Sequence, residues 1–273
     1  MRRLPAHAGV VAGEFRGEVA AFYARYRRGY PAAFTGMLAR ALRLGPYAVV
    51  ADIGCGTGQL TIPLAGRARA VVGADPEPDM LALAVGAASE QGVTNVTWVL
   101  GSDAALPALA TLAGGPVLDA VTVANAIHLM PERRLFAGAM TALKPGGGIA
   151  VIANGTPLWQ QPSDWSRAVR QALEEWLDTR LESCCGTDQQ ARQGYRDAML
   201  GAGLTDVREE SCEYAGHLSV DELIGGLYSA MPPHLLPPAA ERPAFAAHIR
   251  RAVGAETRLA EQVRVAALIG FRS

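Results

Sequence analysis

The sequence predicts an α/β domain of the Rossmann-like class, with a doubly wound, mostly parallel sheet of seven strands and helices on both faces. Three observations predict this fold. Short apolar segments alternate with amphipathic helical segments over residues 45–155, which is typical of βαβ units. The first apolar segment runs directly into a glycine-rich loop that opens a helix. Finally, 273 residues of which 50% are hydrophobic can bury one large core.

Seven apolar segments are predicted to be the strands of this sheet. They span residues 47–53, 70–74 (ending at Asp75), 96–100, 118–124, 149–153, 205–214 and 263–271. Helical patterns fill residues 14–44 (with a second segment opening at Pro31), the stretch up to Ala65, and residues 79–91, 132–143 and 188–203. Lys144 to Gly148 predicts a turn into the fifth strand. The crossovers between parallel strands should be right-handed.

Three further segments are expected to cover the sheet. Residues 1–44 form an N-terminal helical lid, and residues 156–186 and 217–261 are helical cap insertions. The core is then assembled from residues 45–155, 187–216 and 262–273. Lids and caps on a rigid sheet commonly determine which substrate binds, so these segments are the candidates for that role.

Composition narrows the classes of partner. The formal net charge is -1, and a protein that neutralises many phosphates usually carries a basic excess, so no nucleic acid partner is expected. Apolar runs stay well short of a membrane span, so no membrane is expected either. Cys55, Cys184, Cys185 and Cys212 lack metal-ligand spacing, which predicts free thiols, no metal and a cytoplasmic location.

The central motif is VVADIGCGTG, residues 49–58. Its glycines permit close approach of a ligand to the backbone, and the amides at the start of the next helix favour a carboxylate. The dinucleotide fingerprint would require glycine at position 59, which is Gln59, and a phosphate-binding P-loop would require a lysine. A tight turn without a ligand is the alternative.

Two carboxylates follow the next two predicted strands. Asp75 ends the second strand, where a carboxylate can accept hydrogen bonds from both hydroxyls of a ribose. Asp103 follows the third strand, where it can accept a hydrogen bond from an adenine amino group. Each aspartate is also a candidate helix cap, Asp75 especially because Pro76 follows it. The loop and both aspartates together predict a nucleoside site at the carboxyl edge of the sheet.

These motifs resemble the class I S-adenosylmethionine-dependent methyltransferases, in particular the type 11, ubiquinone/menaquinone-biosynthesis-like and trans-aconitate methyltransferase-like group. The resemblance is carried by YARYRRGYP (23–31), VADIGCGTGQLTIPLA (50–65), VVGADPEPDML (71–81), LGSDAALP (100–107), VANAIHLM (123–130) and LKPGGGIAVI (143–152). It covers most of residues 20–155, and SVDELIGGLYSAMP (219–232) resembles a late helix of the group. Arg28 is a departure, because the group more often has proline there, which leaves the turn of the lid open.

The resemblance implies S-adenosylmethionine as the cofactor and gives each motif residue a role. Asp52, Gly54, Cys55, Gly56 and Gly58 would hold its amino acid part, Asp75 and Pro76 its ribose, and Asp103 and Ala104 its adenine. Asn125 would lie beside the sulfonium, and Tyr23, Arg25, Tyr26 and Tyr30 would belong to a lid over the methyl group.

Methyl transfer needs orientation and exclusion of water more than a protein nucleophile. An acceptor that loses a proton can use a base, and His128 after the fourth strand is the candidate catalytic residue. The alternative for His128 is a pocket-wall histidine with one hydrogen bond. His217, His234 and aromatic residues of the caps are candidates for the wall of an acceptor pocket, or simply pack the caps.

We therefore expect methyl transfer to O, N, S or C of a small organic molecule in specialised metabolism, by a monomer or homodimer. Two other classes stay open: an enzyme that uses the same pocket for cyclisation or another non-methylating reaction, and a non-catalytic cofactor-binding regulator. A methyltransferase of RNA or protein is a third possibility. The fourth strand ends in VANAIH (123–128), which lacks the N-P-P-Y-type and Pro-Cys signatures of base-modifying enzymes.

Overall fold

A computed structural model describes residues 15–181, 188–255 and 257–273. Its strands are β1 (Val49–Ile53), β2 (Ala70–Asp75), β3 (Val96–Leu100), β4 (Leu118–Ala124), β5 (Leu143–Asn154), β6 (Leu204–Ser219) and β7 (Arg258–Arg272). They form one sheet in the order β3-β2-β1-β4-β5-β7-β6. Neighbours from β3 to β5 pair in parallel, and β7 runs antiparallel to both β5 and β6. The predicted fold class is confirmed.

The described helices follow the expected alternation. They are α1 (Glu18–Tyr26), α2 (Ala32–Ala41), α3 (Thr61–Ala65), α4 (Pro78–Glu90), α5 (Ala105–Leu112), α6 (Glu132–Ala142), α7 (Asp164–Leu177), α8 (Gln189–Gly201), α9 (Val220–Tyr228) and α10 (Arg242–Val253). Helix α5 was not predicted from the sequence. Ser102 and Asp103 before its segment ALPALATL are residue types typical of a helix start, but the N-cap residue in the structure is Ala104, which makes no side-chain cap.

Both faces of the sheet are buried, which explains why its central strands are continuously apolar. One face is covered by α5, α6 and α8, with Phe136 and Met199 among the buried side chains. The other is covered by α2 and α3, where Phe34 and Leu38 pack against Val50 of β1 and its neighbours. With both faces covered, the carboxyl edge of the sheet is the place where polar loop residues can collect.

The β6–β7 pair is longer than predicted and corrects one expectation. The pairing continues as far as Ser219 opposite Arg258, so the segment 217–261 is helical only between Val220 and Val253. Its two ends belong to β6 and β7. Buried and exposed residues alternate along this end of β7, and half-buried and exposed residues alternate along this end of β6, which is the two-residue period of a strand with one covered face.

The cap insertions contribute a third apolar cluster, and the lid packs on it. Helices α7, α9 and α10 bring Trp165, Leu227 and Phe245 together. On the lid side, the ring of Tyr26 in α1 lies against Gly225 of α9, where an added Cβ would be 2.4 Å from the ring. The lid and the cap therefore form one packed unit.

Some predicted features lie outside the described residues: the first 14 residues of the lid, and residues 182–187 with Cys184 and Cys185. Within the described ranges, no helix is both long and apolar enough to cross a membrane.

The face that packs α6 can be tested by truncating Phe136, which is fully buried. Phe136→Ala should lower the free energy of unfolding by about 3–5 kcal/mol, because it leaves a cavity. Leu112→Ala is the control, since Leu112 is 86% exposed and its truncation should cost less than about 0.5 kcal/mol. Urea titration measures both. Equal losses would contradict the placement of α6 over the sheet.

Candidate functional site

The glycine-rich loop between β1 and α3 has a backbone that only glycine adopts easily. Gly54, Gly56 and Gly58 have φ angles of +69°, +54° and +84°, all in the left-handed region. A Cβ on Gly54 would lie 2.6 Å from the Cβ of Ala126, so no side chain fits there. A Cβ added to Gly56 would have Cε1 of Tyr23 as its nearest neighbour, at 3.8 Å. The lid therefore lies directly over the loop.

Asp75 at the end of β2 holds the loop in place. One of its oxygens accepts a hydrogen bond from the amide of Gly56 at 2.8 Å, and the other from the amide of Glu77 at 2.9 Å. Burial raises the pKa of this carboxyl. Each oxygen has a second lone pair, so the local turn and the binding of ribose hydroxyls are compatible roles. Pro76, also predicted here, is exposed between Asp75 and Glu77.

Asp52 is buried inside the sheet, beside the loop. Its two oxygens accept hydrogen bonds from the hydroxyls of Thr122 at 2.7 Å and Thr61 at 2.6 Å. Burial raises its pKa to about 6, although both threonine hydrogen bonds act in the opposite direction. Asp52 therefore connects β1 to α3 and β4. Cys55 in the loop is also buried, and burial raises the pKa of its thiol, so the group is neutral.

Among the residues that the structure describes, two polar atoms of the loop region are buried without a hydrogen-bond partner. They are the hydroxyl oxygen of Thr57 and the side-chain nitrogen of Gln59. Buried polar groups are nearly always hydrogen-bonded in native proteins, and exceptions often mark a ligand site. Amide and hydroxyl donors suit a carboxylate, so these atoms fit the amino acid part of the predicted cofactor.

Asp103 lies at the end of the segment that follows β3 and is 1% exposed. Both of its oxygens are bound by Arg134 of α6: Nε at 2.5 Å and Nη2 at 2.8 Å. The capping alternative is not what the structure shows, because the N-cap of α5 is Ala104 and no side chain caps it. Sequence reasoning missed Arg134, which lies 31 positions away with no motif to mark it.

Asn125 at the end of β4 links that strand to β5. Its φ is +52°, a region that asparagine tolerates better than most residues. Its amide donates to the carbonyl of Ile152, and its side-chain oxygen accepts from the amide of Asn154. The side chain of Asn154 in turn donates to the carbonyl of Gly29 in the lid. Asn125, which was predicted to lie beside the sulfonium of the cofactor, is thus at the carboxyl edge of the sheet and next to the lid.

The lid tyrosines divide into two groups. Burial raises the pKa of Tyr23 and raises that of Tyr30 further. Tyr23 lies over Gly56 of the loop, whereas the ring of Tyr30 packs on that of Phe34 in α2, with 5.6 Å between the ring centroids. In contrast, Tyr26 packs on α9, and the guanidinium of Arg25 stacks on the Tyr26 ring at 5.2 Å. The structure therefore brings Tyr23 to the loop and assigns Arg25 and Tyr26 to the contact between lid and cap.

Arg28, the departure noted in the lid sequence, has a defined partner. Its Nη2 lies 2.5 Å from Oε2 of Glu261 in β7, a buried carboxylate that also accepts a hydrogen bond from Gln161 at 3.3 Å. A Cβ on Gly155 would be 2.8 Å from Arg28. Arg28 therefore fastens the end of the lid to the chain after β5 and to the cap end of β7.

His128 lies in a short 3₁₀ turn, Ile127–Leu129, after β4. It lines a small cleft between the sheet and α8, together with Asn125, Arg192, Tyr195 and Glu209. The structure therefore places His128 near Asn125. Its role as a base stays a prediction. His217 lies in β6 opposite Ala260, and His234 lies in the turn before α10.

Residues 50–147 match the family of methyltransferase domains. The chain is also 34% identical, over 139 residues, to uncharacterized methyltransferases of Mycobacterium bovis and Mycobacterium tuberculosis. The match covers 50% of this chain and 51% of theirs, so the chain spans about half the length of the curated relatives it matches.

Solved structures share the architecture across nearly the whole chain. A protein from Anaeromyxobacter dehalogenans, named as a type II methyltransferase, aligns with a TM-score of 0.58 at 20% identity and covers 90% of this chain and 97% of its own. The precorrin 8W decarboxylase of Methanobacterium thermoautotrophicum gives 0.53 at 16% identity, with 90% and 93% covered. At these identities the likeness shows the fold.

The raised pKa of Asp52 predicts a pH dependence of stability. The pKa rises from an ordinary 3.8 to about 6 on folding, so the folded state binds a proton more readily, and the free energy of unfolding falls as pH rises through this window. Between pH 5 and pH 7.5 the free energy of unfolding of the unmodified chain should fall by roughly 1 kcal/mol relative to that of Asp52→Asn, which cannot ionise at this position.

Urea titrations at several pH values, without ligand, measure this difference. Asp197→Asn is the matched control, because Asp197 is exposed on α8 and its removal should leave the pH dependence unchanged. A constant difference between the unmodified chain and Asp52→Asn would contradict the raised pKa.

Proposed function

We propose that this chain is a class I S-adenosylmethionine-dependent methyltransferase that transfers a methyl group from S-adenosylmethionine to a small organic acceptor. The match of residues 50–147 to the family of methyltransferase domains supports this proposal. The observation that carries the proposal is the glycine loop held by Asp75, with the unpartnered Thr57 and Gln59 atoms beside it. A loop that only closed a turn would have no need for buried donors without acceptors.

The residues of the carboxyl edge fit the parts of that cofactor. Thr57, Gln59 and the amides of the loop would hold its amino acid part, because they are donors suited to a carboxylate. Asp75 would accept hydrogen bonds from the ribose hydroxyls with its remaining lone pairs. Asp103 would accept from the adenine amino group, and Asn125 would lie beside the sulfonium.

S-adenosylmethionine supplies a methyl group that is already activated on sulfur, so the chain's own task is orientation and exclusion of water. The lid is suited to the second task. Gly17 at its start donates to Asp79 of α4 at 2.7 Å, and Arg16 pairs with Glu77 at 2.8 Å. At its cap side Glu18 pairs with Arg242 of α10 at 2.7 Å. These contacts hold Tyr23 over the loop.

The acceptor would bind between the lid, the end of β5 and the cap. The Arg28–Glu261 pair neutralises the charges at this end of the lid, and the cap cluster is aromatic and aliphatic. A site whose charges are paired in this way suits a small acceptor better than a polyanion. Four properties stay predictions from the sequence: a cytoplasmic location, a role in specialised metabolism, a monomeric or homodimeric state, and the absence of a nucleic acid partner.

A thermal melt tests the cofactor directly. S-adenosylhomocysteine at 100 times its Kd should stabilise the chain by about 2.7 kcal/mol, which corresponds to a rise in Tm of roughly 5–10 °C. NADH should leave the Tm unchanged. Asp75→Ala should abolish the shift caused by S-adenosylhomocysteine, whereas Asp197→Ala on exposed α8 should keep it. A well-folded sample freed of co-purified ligand that shows no shift would overturn the proposal.

A labelled-methyl assay tests the reaction. With S-adenosylmethionine carrying a labelled methyl group and a panel of small phenols, amines, thiols and carbon acids, we expect label in the product and one S-adenosylhomocysteine per turnover. Asp75→Ala should lower kcat/KM at least tenfold through weaker cofactor binding. Conversion of an acceptor without S-adenosylhomocysteine would instead select a non-methylating reaction.

A further inference from the structure

A second concave surface lies at the opposite end of the sheet from the glycine loop. This groove, of about 680 Å³, is formed by the end of α2, the turn that leads into β1 and the turn that follows α3. Strands β1 and β2 start beside the groove and run in parallel towards the glycine loop and Asp75. Because β1 has five residues, which span roughly 15 Å, the groove is separate from the candidate site.

The charge of the groove is entirely positive. Arg40, Arg43 and Arg67 line it, and every other lining residue is a glycine, alanine, leucine or proline. Within the part of the chain that the structure describes, none of these three side chains makes an ion pair or a hydrogen bond. The groove therefore collects three positive charges with no carboxylate against them.

Two of the three guanidinium groups converge on one point. A Cβ added to Gly36 of α2 would lie 3.6 Å from Nη1 of Arg40 and 3.5 Å from Nη2 of Arg67. Each arginine lies at the end of a helix, α2 or α3, where the helix dipole favours a cation. That effect accounts for each charge separately but not for their convergence, because like charges repel each other. An anion bound between them would turn this repulsion into attraction.

Arg43 adds a third group of donors at the edge of the groove. Its guanidinium lies over the ring of Phe271 in β7, 5.2 Å from the ring centroid. Stacking on a ring face restrains a guanidinium and leaves its in-plane N–H donors available. Planar forks of this kind match the oxygens of a phosphate group and can bind two of them at once. Three such forks suit a ligand with more than one negative charge.

We propose that this groove is a binding site for phosphate groups, held by Arg40, Arg67 and Arg43. The ligand is a compound that carries two or more negative charges on phosphate. It binds independently of the cofactor, because no residue of the candidate site lines the groove. The inference therefore goes beyond the proposed function and does not rest on it.

Inorganic pyrophosphate is the probe, and isothermal titration calorimetry at low ionic strength is the measurement. The unmodified chain should bind it with a Kd below about 1 mM, and the Kd should rise as salt is added. Arg40→Ala and Arg67→Ala should each raise the Kd about tenfold, because each removes charge-assisted hydrogen bonds. Arg67→Lys keeps the charge but not the planar fork, so it should recover only part of the affinity.

Two controls make the test specific to the groove. Arg69→Ala removes an exposed arginine that lies two positions after Arg67 but does not line the groove, and it should change the Kd by less than about twofold because solvent and salt screen its charge. Asp75→Ala should leave the Kd of pyrophosphate unchanged. Because Arg40 and Arg67 are exposed, their variants should keep the ligand-free Tm of the unmodified chain.

A lipid headgroup carries the same phosphate chemistry, and vesicles distinguish the two sources. With a soluble ligand, the chain should not sediment with phosphatidylcholine vesicles that contain phosphatidic acid. Sedimentation with these vesicles but not with pure phosphatidylcholine, lost in Arg67→Ala, would assign the groove to a lipid phosphate.

The proposal is overturned if neither pyrophosphate nor the acidic vesicles bind. It is also overturned if Arg69→Ala weakens binding as much as Arg67→Ala, because the attraction would then be spread over the surface.

Discussion

The candidate site depends on the way the glycine loop is folded back onto the end of β2. The carbonyl of Ala74 accepts from the amides of Gly54 and Cys55 at 2.8 and 3.1 Å, and the next residue, Asp75, accepts from Gly56. Two consecutive residues of one strand thus bind three consecutive amides of the loop. This leaves no freedom in the path of the loop, and it fixes where Thr57 and Gln59 lie. Every contact proposed for the cofactor is defined relative to this junction.

Features encoded locally could be predicted from the sequence, and features that depend on distant partners could not. The parallel strands and the glycine loop follow from apolar runs and from spacing within a few residues, so β1 to β4 lie within two residues of their predicted positions. In contrast, β5 begins at Leu143, and the predicted turn from Lys144 to Gly148 belongs to this strand. Two ion pairs, Arg134–Asp103 and Arg28–Glu261, join residues that lie 31 and 233 positions apart in the chain. Nothing in either local segment marks its partner. Thr122, which holds Asp52, lies 70 positions away in a strand read only as apolar.

The errors in secondary structure have equally specific causes. Helix α5 is only 8 residues long and its N-cap residue, Ala104, makes no side-chain cap, so the candidate cap Asp103 does not mark the helix start by capping it. The ends of β6 and β7 leave the main sheet as a two-stranded extension with one covered face. Their mixed polar and apolar sequence is equally compatible with an amphipathic helix, and only the pairing between the two strands decides the outcome.

Helix α1 connects two surfaces that the chain would otherwise keep apart. Tyr26 packs on Gly225 of the cap, and Tyr23, one turn earlier and so on the same face of the helix, lies over Gly56. A tilt of this helix that suits a molecule in the cap must also move the ring above the loop. Occupancy on the two sides is then thermodynamically linked. If one ligand changes the affinity for the other by some factor, the second ligand must change the affinity for the first by the same factor.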